Sequence, residues 1–311
     1  MEGVIVTEGL SRDFGTVRAV RELSLAVQEG EMFGLVGPDG AGKTTIIRML
    51  CGVLSPSAGT ARVLGHDIRR EAEAVKRQIG YLSQRFSLYG DLTVDENIEF
   101  FAEINGVRDF RPRRDELLAF TRLEPFRGRL AEKLSGGMKQ KLGLACTLIH
   151  TPRLLFLDEP TTGVDPVSRR DFWRILQSLL HRGITIVMST PYLDEAERCT
   201  RVALVDRGGA MRVDTPAALK AAMAGDVIEV VCAPVRAAVP LLREVEGVRE
   251  VQAFGDRVNV VVDDAAERGP QLAAALARGG LRPAATRRIA PSLENVFISL
   301  LTTRDEESVE P

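Results

Sequence analysis

Paired cysteines, long apolar runs and a dominant sign of charge are all missing from this chain. Its four cysteines, Cys51, Cys146, Cys199 and Cys232, are scattered without any C-x-x-C spacing. That excludes a patterned zinc site or disulfide framework and leaves them as reduced, mostly buried fillers. No apolar stretch approaches the roughly 18 residues that cross a bilayer, so a membrane role is expected to come through another polypeptide. Met1 to Thr7 lacks the basic segment and apolar stretch of a secretory signal, and a cytosolic location is expected. With 41 basic and 43 acidic residues the formal charge is −2, so no whole-chain field selects a nucleic acid or an anionic surface.

What is present is an ordinary globular composition, 45% hydrophobic and 27% charged, over 311 residues. That length predicts one large domain and a smaller one. Short alternating runs in residues 1–36 (Val4, Val6; Val20, Leu23, Leu25, Val27) predict antiparallel strands, and Met32 to Val36 a buried strand. Helical patterns follow at about Lys43–Leu50, Asp95–Ile104, Arg113–Arg122, Met138–Ile149 and Val167–His181. Leu154–Leu157 and Ile184–Met188 are apolar runs of the kind buried in parallel sheets, and Arg201–Asp206 with Ala210–Asp214 reads as a hairpin. The composition shifts at Lys220–Asp226, which places the domain boundary at 222/223. Beyond it the order strand, helix, strand, strand, helix, strand and a closing helix predicts a ferredoxin-like unit over 223–303, with 304–311 as a frayed tail. Pro240 falls awkwardly inside the first of these helices.

Gly37-Pro38-Asp39-Gly40-Ala41-Gly42-Lys43-Thr44 fits G-x-x-x-x-G-K-[ST], between a predicted strand and a predicted helix. Backbone amides can wrap a phosphate only where side chains are absent, and the following helix aims its positive end at the same anion. Lys43 suits the β- and γ-phosphates, Thr44 a Mg²⁺ shell, and Thr45 a further phosphate contact. Leu154-Leu155-Phe156-Leu157-Asp158-Glu159 ends an apolar strand in two acids. Asp158 is placed to hold magnesium through water, and Glu159 to orient or deprotonate an attacking water.

Leu134-Ser135-Gly136-Gly137-Met138-Lys139-Gln140 resembles the signature sequence of ATP-binding cassette (ABC) proteins. The resemblance runs from residue 2 to about 216. It implies an α/β P-loop cassette with a mixed core sheet, an antiparallel β subdomain and a helical subdomain over about 85–150, followed by the α+β ferredoxin-like domain. It also implies that Ser135, Gly136 and Gly137 bind the γ-phosphate of ATP held by a second ATP-binding subunit. Phe14 matches an adenine-stacking aromatic, Gln84 a glutamine that approaches the magnesium and the reaction, and Asp165 a loop crossing the dimer interface. Residues 85–94 and Pro291–Phe297 resemble the daunorubicin-type exporter branch. The implied partner is a membrane permease, driven from the cytoplasmic face through the surface near Phe86 to Thr93.

Two positions depart from that pattern. Pro191, in Ser189-Thr190-Pro191-Tyr192, stands where the family has a histidine that contacts the γ-phosphate and positions the catalytic glutamate; His66, His150 and His181 lie elsewhere. Proline offers neither a side-chain donor nor an N–H, so slow turnover is expected unless Thr190, Tyr192 or the partner replaces the contact. Asp39 replaces a common asparagine, a minor change. A homodimer of slow hydrolases and a mixed pair with a homologous subunit stay open. So do a soluble cassette protein acting away from membranes and a nucleotide-binding regulator. Balanced charge and the absence of sustained heptads speak against nucleic acid as a partner, and Arg111–Arg114 is the sole compact basic cluster.

Overall fold

Alternating side chains at the start of the chain build a hairpin of β1 (Ile5–Phe14) and β2 (Val17–Val27), turning at Gly15 with φ 58°. Strand β3 (Met32–Val36) is buried throughout and runs through the glycine loop into α1 (Lys43–Leu50). β4 (Ala58–Val63) and β5 (His66–Asp67) join the hairpin in an antiparallel sheet of order β2-β1-β4-β5. The computed structural model describes residues 3–84 and 88–307, so Phe86 lies outside the described residues.

After α2 (Ala72–Lys76), strand β6 (Ile79–Leu82) ends two residues before Gln84. Helices α3 (Val94–Ile104), α4 (Arg111–Thr121) and α5 (Gly136–Leu148) follow. Thr93 and Glu96 start α3 with a reciprocal capping box, and Ser135 caps α5. The remainder of this unit is β7 (Leu154–Asp158), α6 (Pro166–His181), β8 (Thr185–Thr190), α7 (Leu193–Ala196), β9 (Arg201–Asp206) and β10 (Gly209–Asp214). The central sheet has the order β10-β9-β3-β8-β7-β6, parallel except for the β9–β10 hairpin. β3, β7 and β8 expose nothing, as parallel strands covered on both faces must. Val36 pairs with Thr190 and Asp158 with Ser189, so the glycine loop, Glu159 and Pro191 all leave the sheet at one edge. In such sheets that carboxyl edge is where ligands bind.

The chain divides between Asp214 and Thr215, ahead of the expected 222/223 boundary, because helix α8 (Pro216–Ala221) belongs with the second unit. That unit continues with β11 (Asp226–Val231), α9 (Val235–Arg243), β12 (Val248–Phe254), β13 (Arg257–Val262), α10 (Ala265–Arg278), β14 (Ala285–Ile289) and α11 (Leu293–Glu307). Its antiparallel order β12-β13-β11-β14 is the ferredoxin-like arrangement, with Val230, Val260, Leu242 and Leu272 fully buried in its core. Pro240 is accommodated inside α9. α10 starts at Ala265 because Asp264 accepts from Ala266 N and Glu267 N at 2.7 and 3.1 Å. Those two bonds offset the one that Pro270 removes inside the helix. The tail expected from residue 304 is helical to Glu307.

Candidate active site

The loop from Gly37 to Thr44 is shaped by positions that accept no side chain. Gly40 and Gly42 have φ of 80° and 99°, and a Cβ on Gly42 would stand 2.4 Å from the Ala19 carbonyl. On Gly37 it would meet the Val205 carbonyl at 2.0 Å. Pro38, Asp39 and Gly40 form the exposed crest, Ala41 is buried beneath it, and Thr44 and Thr45 are half-buried on the first turn of α1. Lys43, 3% exposed, reaches back across the loop to donate to Gly37 O at 2.8 Å and Pro38 O at 2.9 Å.

The same ammonium lies 3.3 Å from Glu159 Oε1, joining the loop to the end of β7. Gln84 Nε2 donates to Glu159 Oε2 at 2.9 Å, so the predicted acid is held between Lys43 and the residue that follows β6. Glu159 itself has φ 47°, an uncommon backbone for a non-glycine residue and one that concentrates at functional sites. Asp158 accepts from Thr44 Oγ1 at 3.0 Å and from Ser189 Oγ at 2.6 Å, both through Oδ1. Its Oδ2 is buried without a partner. An orphaned carboxylate oxygen beside a threonine hydroxyl is the hard-oxygen environment magnesium takes, so these residues fit the ion.

Phe14, Ser135–Gly137 and Asp165 stand apart from this cluster. Phe14 is 46% exposed, with the Arg12 guanidinium 4.6 Å from its ring centroid. Ser135 and Gly136 are exposed at the start of α5, where Ser135 Oγ accepts from Met138 N at 3.4 Å. Gly137 is buried against α6, where a Cβ would lie 2.4 Å from that of Ser168. Asp165 caps α6, accepting from Val167 N at 3.1 Å and Ser168 N at 2.9 Å. Hydrogen bonds from the Ser168 side chain and backbone hold its carboxyl below the usual range.

A family model described as ABC transporter matches residues 20–162, and one described as ATP-binding protein DrrA1-3-like, C-terminal domain, matches residues 215–301. The daunorubicin resistance ATP-binding protein DrrA2 of Streptomyces coeruleorubidus is 37% identical over 317 residues, covering 99% of this chain and 98% of that protein. The chain belongs to the ABC transporter ATP-binding family. The Nod factor export ATP-binding protein I of Rhizobium sp. (strain N33) is 38% identical over 303 residues, 96% of this cassette chain and 97% of that protein. The "Probable multidrug ABC transporter ATP-binding protein YbhF" of Escherichia coli is 42% identical over 228 residues, but the match spans 39% of that longer protein. A solved ATP-binding subunit of an ABC transporter superposes with a TM-score of 0.64 at 28% identity, covering 70% of this chain and 92% of that one.

Within the cassette, several polar residues at the sheet edge escaped the sequence reading. Ser189 bridges the two acids, donating to Asp158 and accepting from Glu159 N at 2.9 Å. A serine directly follows the apolar run Ile184–Met188, but only the register of β7 against β8 sets it beside Asp158. Thr161, Arg169 and Glu195 gather with Thr190 next to Pro191; Thr190 is expected there as a replacement for the lost contact, but no local pattern marks the other three as a group.

Proposed function

We propose that this ABC ATPase subunit works as a dimer on a separate membrane permease, at the cytoplasmic face, and exports drug-like or lipophilic compounds. The observation that carries the chemistry is the convergence of Lys43, Thr44, Gln84, Asp158 and Glu159 on one cluster at the mouth of the glycine loop, in which Lys43, Asp158 and Glu159 are buried. The loop amides and the Lys43 ammonium bind the phosphates of ATP. Magnesium, when bound with the nucleotide, supplies charge neutralisation and would be held by Thr44, Asp158 and Gln84. Glu159 orients and accepts a proton from the attacking water, and Gln84 holds the second carboxylate oxygen in place for that task. Phe14 stacks on the adenine.

Ser135 and Gly136 are exposed at the head of α5, which supports their serving the nucleotide of a second ATP-binding subunit. Asp165, as the cap of α6, shapes the loop that crosses between the two. Support for a protein partner comes from an apolar surface: exposed Tyr89 meets Phe100 edge-to-face with ring centroids 4.6 Å apart, Phe100 meets Phe101 likewise at 5.5 Å, and Phe101, Ile104 and Val53 line a common cavity of about 230 Å³. Val53 and Ile104 are 60% and 61% exposed. Contiguous apolar surface of this kind marks interaction sites. Among the described residues no helix is long and apolar enough to cross a membrane, which fits a separate permease. Export of lipophilic compounds rests on the names of the relatives.

Pro191 favours a second reading for the assembly, in which this chain pairs with a homologous subunit and supplies the weaker of two ATP sites. Lys43→Ala tests the central claim. The purified chain should bind ATP with magnesium, and the variant should lose that binding and all hydrolysis; equal binding by both proteins would sink the assignment. Co-purification from native membranes identifies the permease and any second subunit.

A further inference from the structure

The side chain of Glu195 is 1% exposed, yet it lies on α7, outside the cluster that holds Glu159. Three segments converge on it. Thr161 Oγ1 donates to Oε1 at 2.7 Å and Thr190 Oγ1 donates to Oε2 at 2.8 Å. The Arg169 guanidinium of α6 stands 3.5 Å from Oε1 and lies over the Tyr192 ring at 4.6 Å. Each partner leads back to the reaction. Thr161 is the corner of the turn that carries Glu159, closed by Thr162 N donating to Glu159 O at 3.2 Å. Thr190 O accepts from Gly37 N, the first residue of the phosphate loop, at 3.4 Å, and Thr190 Oγ1 accepts from Tyr192 N at 3.1 Å. Arg169 lies one residue beyond Ser168, against which Gly137 packs.

We propose that Glu195 is a positioning residue for Glu159, taking over through Thr161 and Thr190 the orienting work that a side chain at Pro191 cannot perform. The strained turn at Glu159 gets no side-chain donor from Pro191, and the buried Glu195 carboxylate, accepting from Thr161 of that turn and from Thr190, pins it instead. A buried carboxylate is retained only where it is well bonded, and charge-assisted hydrogen bonds of this kind are the strong ones. The phosphate contact of a histidine is not replaced; only the orientation of the acid is. The inference rests on the ATPase reading above.

The test is a double-mutant cycle on the full chain, reading single-turnover hydrolysis and the Kd for ATP with magnesium separately. Glu195→Ala should lower the hydrolysis rate about 10–100-fold with Kd unchanged, the usual cost of releasing a supporting contact or displacing a reactive group by an ångström. Glu195→Gln, which keeps partners for both threonine hydroxyls, should stay within about threefold of the parent. In a Pro191→His background, Glu195→Ala should cost several-fold less, because the histidine then orients Glu159. Independent residues would show the same cost in both backgrounds, and that result overturns the proposal. Should Glu195→Ala fail to fold, Thr161→Val removes the nearer hydroxyl with little change of volume. It should lower the rate about tenfold at unchanged Kd, and a parental rate overturns the proposal. Failure of the parent chain to bind ATP would instead overturn the ATPase reading.

Discussion

Lys43 and Glu159 are each almost wholly buried and lie 3.3 Å apart, an arrangement that low dielectric makes costly to leave unpaired. The pairing keeps both charges in place at the phosphate loop, and Gln84 and Ser189 add the hydrogen bonds that keep Glu159 from wandering. What this set lacks is a donor from residue 191, since a proline ring has none. One preorganised donor is worth about 10²–10³ in rate at comparable sites. Pro191→His should therefore raise kcat by about tenfold or more with little change in ATP affinity, measured as steady-state phosphate release and nucleotide Kd. Unchanged turnover would show that the missing donor is not what limits this cassette.

Elements impose a different kind of control, visible where β13 passes into α10. Arg268, buried in α10, holds Asp263 in a fork, Nε to Oδ1 at 2.8 Å and the terminal nitrogen to Oδ2 at 3.0 Å. That bonding pulls the Asp263 carboxyl down to about 2. A carboxyl depressed in the folded protein adds stability above its unfolded value and loses it as pH falls toward the folded one. Protection of the β13 and α10 amides against hydrogen exchange should thus weaken between about pH 4 and pH 2. In Asp263→Asn the protection should be lower at pH 7 and flatter across that window. A parallel decline in both proteins would contradict the assignment. The sequence announced the acids, the glycine loop and most strands here because apolar runs of four to six residues and a strict motif are local signals. The start of α10 is harder to read locally, because Gly269 and Pro270 are poor helix formers and the Asp264 cap that outweighs them depends on backbone geometry. Ser189 and Glu195 were hidden for a deeper reason: their roles come from the parallel register that sets Asp158 beside Ser189 and from contacts between segments distant in sequence.

At the scale of the molecule, two units carry separate cores, one around Phe33, Ile46 and Phe156, the other around Val230, Leu242 and Val260. The first contains the whole cluster around Lys43 and Glu159 and also the Ser135–Gly136 segment, which is exposed at the head of α5, where Ser135 caps the helix. Its exposed amides sit at a helix N-terminus, where negative charge is favoured. If they cap the nucleotide of a partner, association should require ATP and should fail when that end carries a negative side chain. The Glu159→Gln variant, whose amide oxygen keeps an acceptor for hydrogen bonding but offers no base, should elute as a dimer with ATP and magnesium and as a monomer without them. Adding Ser135→Glu should abolish the dimer while leaving ATP binding by each chain within about threefold, because the phosphate loop belongs to a different surface. Dimerisation that persists in the double variant would mean that the two cassettes meet elsewhere, and that Ser135 serves as a helix cap alone.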